Sequence, residues 1–74
     1  MRITKEEYIE IVDHMGRRIQ KENIKDELLI LEAHKDIVNQ FKREFGIKEP
    51  NELDDKYIYE AHEFIDKYDL PFWL

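Results

Sequence analysis

His62 and Asp66 stand four residues apart, with Glu60 and Glu63 close by. On a helix that spacing puts the imidazole and the carboxylate on one face, the beginning of a metal site or of a histidine oriented by an acid. Two ligands do not complete a metal site, and His14 and His34 lie at no standard ligand spacing from this pair. The chain has no cysteine, which excludes thiolate zinc sites and disulfides alike. General acid–base catalysis also needs a concave pocket that shifts pKa values, and a few short helices give little room for one. Glu60, His62, Glu63 and Asp66 therefore read as a solvated acidic face with Lys56 and Lys67 as partial counter-charges. The expectation is a protein that is not an enzyme, with no catalytic residue, metal or cofactor.

The other histidines divide by position. His34 projects into the apolar arc of the central helix, where it is either hydrogen-bonded at the core margin or a protonation switch at a dimer interface. His14 falls on the polar side of the first helix beside Glu10 and Arg18 and reads as solvated. Tyr59 projects away from the apolar face of its helix among Asp55, Glu63 and Asp66, an aromatic ringed by acids. Leu29 likewise falls on a polar side, near Glu32 and Asp36. Leu29, Tyr59, Glu63, Asp66, Phe72 and Trp73 are the candidate partner-contact residues. Arg17, Arg18, Lys21 and Lys25 form a basic cluster without stacking aromatics, thin for a nucleic-acid site.

These side chains must be carried by helices. Asn23–Gly46 contains Ile24, Leu28, Ile30, Leu31, Ala33, Ile37, Val38, Phe41 and Phe45. At about 100° per residue they cover an arc of roughly 220°, about twice that of an ordinary surface helix. A helix so broadly apolar has to be covered on two sides, by its flanking segments or by a second copy of the chain. Leu28, Leu31, Val38, Phe41 and Phe45 are the expected self-association residues. Before it, Thr4-Lys5-Glu6-Glu7 is a capping box, with Ile3 and Tyr8 placed as a hydrophobic staple. The first helix then runs from about 4 to 22, with Tyr8, Ile11, Val12, Met15 and Ile19 on one face. Gly16 inside it suggests close approach of another backbone. Asn23 reads as the N-cap of a helix over about 24–45, after a tight corner or within one continuous bent helix. Gly46 and Ile47 form a Schellman stop. A loop through Pro50 leads to an N-cap at Asp54 and a third helix over about 54–69, closed by Pro71.

Seventy-four residues make one domain, 1–74, and a core this small usually needs reinforcement. Without disulfides, that leaves good helix packing or self-association. Charged residues are 41% of the chain against two Gly and two Pro, the composition of an all-α domain. The net charge of −6 is uneven: residues 50–74 hold seven acids and two bases. Such an acidic third argues against a phosphate-backbone partner there. No signal peptide or long apolar span is visible, so a complete cytoplasmic protein without membrane contact is expected.

From Val38 to Pro71 the order of features is Phe41-Lys42-Arg43-Glu44-Phe45-Gly46-Ile47, a loop at Pro50, Ile58, Ala61, Phe64 and Ile65 on a helix, then Tyr68 and Pro71. This stretch resembles the C-terminal domain of phage antirepressor proteins. Tyr68 stands where that family often has Trp, and the first helix lies outside the resemblance. The resemblance implies a phage or prophage origin and a role in protein–protein contact, and it implies no catalytic residue.

The expectation is thus a three-helix all-α domain with a long central helix, forming a homodimer and acting as a phage-type accessory protein on a host or phage protein. One rival is an acidic nucleic-acid mimic whose Asp55, Glu63 and Asp66 occupy a basic groove of a host DNA-binding protein. The other is a small DNA-binding regulatory dimer using Arg17, Arg18 and Lys21.

Overall fold

The Thr4 hydroxyl accepts from the Glu7 amide at 3.1 Å while the Glu7 carboxylate accepts from the Thr4 amide at 2.7 Å, so the capping box forms as its residue types dictate. In the computed structural model, which describes all 74 residues, this cap opens α1, Lys5–Gln20. The chain then turns through a corner into α2, Glu27–Phe45, and reaches α3, Ile58–Lys67, by way of two short 3-10 turns, Pro50–Glu52 and Asp55–Tyr57. It is an all-α three-helix domain with the longest helix in the middle.

The corner settles the choice between a turn and one bent helix, and it shifts the expected boundaries. Asn23 adopts φ 53, a left-handed conformation that asparagine tolerates better than most side chains. It is therefore the residue that breaks the helical path, not the N-cap of the next helix. Asp26 takes that role, accepting from the Leu28 and Leu29 amides at 2.8 and 3.4 Å. Helix α2 accordingly starts at Glu27, and Ile24 lies in the connection. Its far end matches expectation: Gly46 sits at φ 63 and ψ 36, and the Gly46 and Ile47 amides both donate to the Lys42 carbonyl.

The start of the third helix also differs. The Ile3 amide donates to the Leu53 carbonyl at 2.9 Å and the Asp55 amide to the Met1 carbonyl at 2.7 Å, an antiparallel bridge centred on Arg2 and Asp54. Pairing of this kind needs extended backbone, which Leu53 and Asp54 supply, so the helix cannot begin there. Asp54 instead caps the 3-10 turn through the Lys56 amide, and α-geometry begins at Ile58. Pro50 is buried, and the Glu52 carboxylate folds its turn by accepting from the Lys48 and Glu49 amides at 2.9 and 3.0 Å. Helix α3 ends at Lys67 because Tyr68 turns extended, which sends its ring back into the core.

The core joins Ile11, Met15 and Ile19 of α1, Ala33, Ile37 and Phe41 of α2, and Ala61 and Ile65 of α3, closed by Ile3, Leu53 and Tyr68. Each fully buried aliphatic side chain contributes about 1.5–3 kcal/mol relative to exposure. The wide apolar arc of α2 is thus mostly covered by the chain's own neighbours. Phe41 is fully buried, and Phe45 packs against Phe41, Phe64 and Tyr57, so neither presents a free surface to a second copy. The close backbone approach expected at Gly16 is absent too: a Cβ there would meet the edge of the His34 ring at 3.9 Å, ordinary van der Waals distance.

Candidate functional site

Two polar joints and one apolar surface are the features that chemistry or binding could use. The first joint lies between α1 and α3. His14 Nδ1 and His62 Nδ1 are 2.7 Å apart, and His14 Nε2 reaches an Asp66 carboxylate oxygen at 2.6 Å. His14 is therefore not solvated: its side chain keeps 15% exposure because its ring is wedged against α3. Burial, then the charge of His14, pushes the His62 pKa below its ordinary value. The hydrogen bond from His14 holds Asp66 below the usual carboxylate range. His14 and His62 are 48 residues apart, so only the antiparallel packing of α1 on α3 brings them together. The signal in the sequence was positional: His14 and Arg18, one helical turn apart, border the apolar face of α1 and both engage the segment 62–68.

Arg18 forms the second joint. Its guanidinium donates to Glu22 at 2.7 Å and to the Tyr68 carbonyl, and lies over the Tyr68 ring. Tyr68 in turn donates its hydroxyl to Asp36 at 2.5 Å. Burial, and then the Asp36 carboxylate, raise the Tyr68 pKa. Arg18 is consequently spent inside the fold, which removes the central member of the basic Arg17, Arg18 and Lys21 cluster. On the acidic side, Asp66 is tied to His14, Glu63 lies 3.8 Å from Lys67 and Asp55 lies 3.7 Å from the Met1 ammonium, so all three mimic carboxylates already have partners. No group of three or more His, Asp or Glu side chains is arranged to hold a metal ion.

The outward surface is apolar in two places. Leu28 is 73% and Leu31 51% exposed on the first half of α2, with Leu29 at the margin and Val38 half-buried one heptad beyond Leu31. At the C-terminus, Leu70 and Leu74 pack on the core while the Leu74 amide donates to the Pro71 carbonyl, a turn that leaves Phe72 fully exposed and Trp73 largely so. Tyr59 stands out from α3 at 74% exposure. Leu28, Leu31 and Leu29 share one helix, whereas Phe72–Trp73, Tyr59 and Glu63 belong to other segments. His34 is half-buried beside Gly16 and, with Ile19, Ile24 and Ile30, lines a cleft at the α1–α2 corner. No helix is long and apolar enough to cross a membrane.

Residues 20–74 match the ORF6C domain, a domain found in phage antirepressor and ORF6-type proteins. The match takes in the corner, α2, both 3-10 turns, α3 and the C-terminal segment, and leaves all of α1 but Gln20 outside it. No curated protein and no solved structure matches the chain.

Proposed function

This chain belongs to the ORF6C domain family, and we propose that it is a phage or prophage accessory protein that acts in the cytoplasm by binding protein, without catalysis, and pairs with a second copy of itself through α2. In this reading it is a counterpart of the C-terminal domains of phage antirepressors, with a host or phage protein as its further partner.

One observation carries the pairing. Leu28 and Leu31 are the most exposed apolar residues of α2, with Leu29 partly exposed beside them, and Lys35 and Val38 continue their three–four spacing. That is the pattern by which one helix packs along another. Exposed leucines grouped on one face point to a contact surface more than scattered ones do. The charge distribution agrees: α2 carries the patch, while the excess acid lies in residues 50–74 and keeps that side in water.

Gel filtration with light scattering tests the reading. A dimer is expected at micromolar to high-micromolar concentration, nearly indifferent to salt because the contact is apolar. A monomer throughout that range ends the pairing proposal.

A further inference from the structure

The joint between α1 and α3 has a property that the binding surface does not use. We propose that His14 and His62 form a one-proton fastener, which holds α1 on α3 while a single hydrogen lies between their Nδ1 atoms and releases it when both atoms are protonated.

The geometry carries this. Face-stacked rings stay at van der Waals separation, about 3.5 Å between carbon planes. The two Nδ1 atoms are 2.7 Å apart, too close for that, and the ring centroids are 4.9 Å apart. The rings therefore meet end to end, each nitrogen aimed at the other, as in an N–H···N hydrogen bond. A metal shared by both would sit about 2.0–2.1 Å from each nitrogen, and at this separation the bite would be far tighter than tetrahedral. A shared hydrogen spans the gap as it stands, and no third His, Asp or Glu side chain is arranged to complete a metal site.

Proton bookkeeping then sets the behaviour. With both imidazoles neutral, His62 Nδ1–H donates to His14 Nδ1, and His14 Nε2–H donates to Asp66. One added proton fits without breaking either bond, since the bridging hydrogen can belong to either ring. A second added proton places hydrogens on both facing atoms, and two imidazolium charges meet across the gap. The bond is lost and becomes a repulsion.

The surrounding charges come from both helices. From α1, Glu10 favours a cation at His62 while Arg17 opposes it; from α3, Asp66 favours it, and Lys21, just past α1, acts on the Asp66 carboxylate. Glu63 and Lys67 line the same depression as His62 and Asp66 and pair with each other at 3.8 Å. At His62 the two carboxylates act more strongly than Arg17, and burial with the charge of the facing His14 acts more strongly still, in the opposite sense. The depressed His62 pKa agrees: the folded chain resists a proton that the unfolded chain accepts. Stability is full above the ordinary histidine pKa of about 6.5 and falls as pH drops through and below it. What is loosened is α1, the helix outside the family match, which supplies Ile11, Met15 and Ile19 to the core.

Ring-nitrogen NMR of the full chain across pH decides the matter. The pair should take up its two protons in separate steps, the second removing a far-downfield bridging N–H signal and shifting the Ile11 and Met15 methyl resonances. One-step titration of both rings at an ordinary histidine value, or a second step that leaves those methyls unmoved, overturns the proposal. In parallel, wild type should lose unfolding midpoint between about pH 7 and about pH 5. His62→Gln can still hydrogen-bond His14 but takes up no proton, so its loss should be smaller, whereas His34→Gln should keep the wild-type loss. An undiminished loss in His62→Gln counts against the fastener; should that variant not fold, the wild-type NMR titration decides alone.

Discussion

The Tyr68 hydroxyl donates to the Asp36 carboxylate at 2.5 Å, which ties the residue just past α3 to the middle of α2. Arg18 of α1 donates to the carbonyl of the same tyrosine. One residue is thus gripped by both other helices, and its extended backbone, which ends α3, is what lets the ring enter the core.

Tyr68→Phe keeps the ring and removes the hydroxyl. Loss of a hydrogen bond to a charged acceptor should cost about 1.5–3 kcal/mol, read as a lower urea midpoint with unchanged slope. The pH dependence has a definite sign. Burial and Asp36 raise the Tyr68 pKa, so the folded state keeps a proton that the unfolded state releases near its ordinary value of about 10. This contribution is complete below that value and declines as pH rises above it. The phenylalanine variant should lose less stability than wild type on the alkaline side; equal losses in both would show that the hydroxyl contributes nothing.

Gly16→Ala should stabilise the protein. Glycine within a helix costs about 0.5–1 kcal/mol relative to alanine. The added methyl would meet only the His34 ring edge at 3.9 Å, a normal contact. A rise of several degrees in Tm is expected, and a fall would mean that the His34 ring cannot tolerate the contact.

Asn23 is the hinge of the corner. At φ 53 a β-branched side chain is strained, so Asn23→Val should cost about 1–2 kcal/mol, whereas Asn23→Gly should stay within about 0.5 kcal/mol of wild type. Chemical denaturation of the two variants separates the hinge role from a side-chain contact, because loss of a contact would penalise both.

These residues also show what the chain discloses before it folds. The Thr4–Glu7 box and the Gly46 stop were legible because each depends on residues a few positions apart, whose backbone geometry the side chains themselves impose. The core positions Ile11, Met15, Ile19, Ala33, Ile37 and Ala61 were legible from helical period alone. The bridge between Met1–Ile3 and Leu53–Asp55, which delays α3, was not. Neither was the meeting of His14 with His62. Both depend on how far each helix is rotated about its axis and how the helices slide past one another, and no local pattern records that. The long, apolar central helix was legible, although Ile24 falls outside it, but how much of its apolar surface the chain covers for itself was not: His14, Arg18 and Tyr68 draw α1 and the end of α3 into place through polar contacts that hydrophobic periodicity cannot register.

Two substitutions on α2 divide folding from assembly. Phe41 is fully buried among the three helices and packs against Phe45 and Phe64. A carboxylate there is an unpaired buried charge in a cavity left by the ring, a loss of several kcal/mol that a domain of this size does not survive. Phe41→Asp should therefore abolish helical circular dichroism. Leu31 is half exposed and touches the edge of the fold only, so Leu31→Asp should keep the helical spectrum and most of the stability. If α2 pairs with a second copy, that same change buries a charge in the contact and should turn the dimer into a monomer by light scattering. Glu63→Ala, on the far side of α3, should change neither property beyond the loss of an exposed ion pair with Lys67. A Leu31→Asp protein that folds and still dimerises would move the interface elsewhere, with the exposed Phe72–Trp73 turn as the next surface to test.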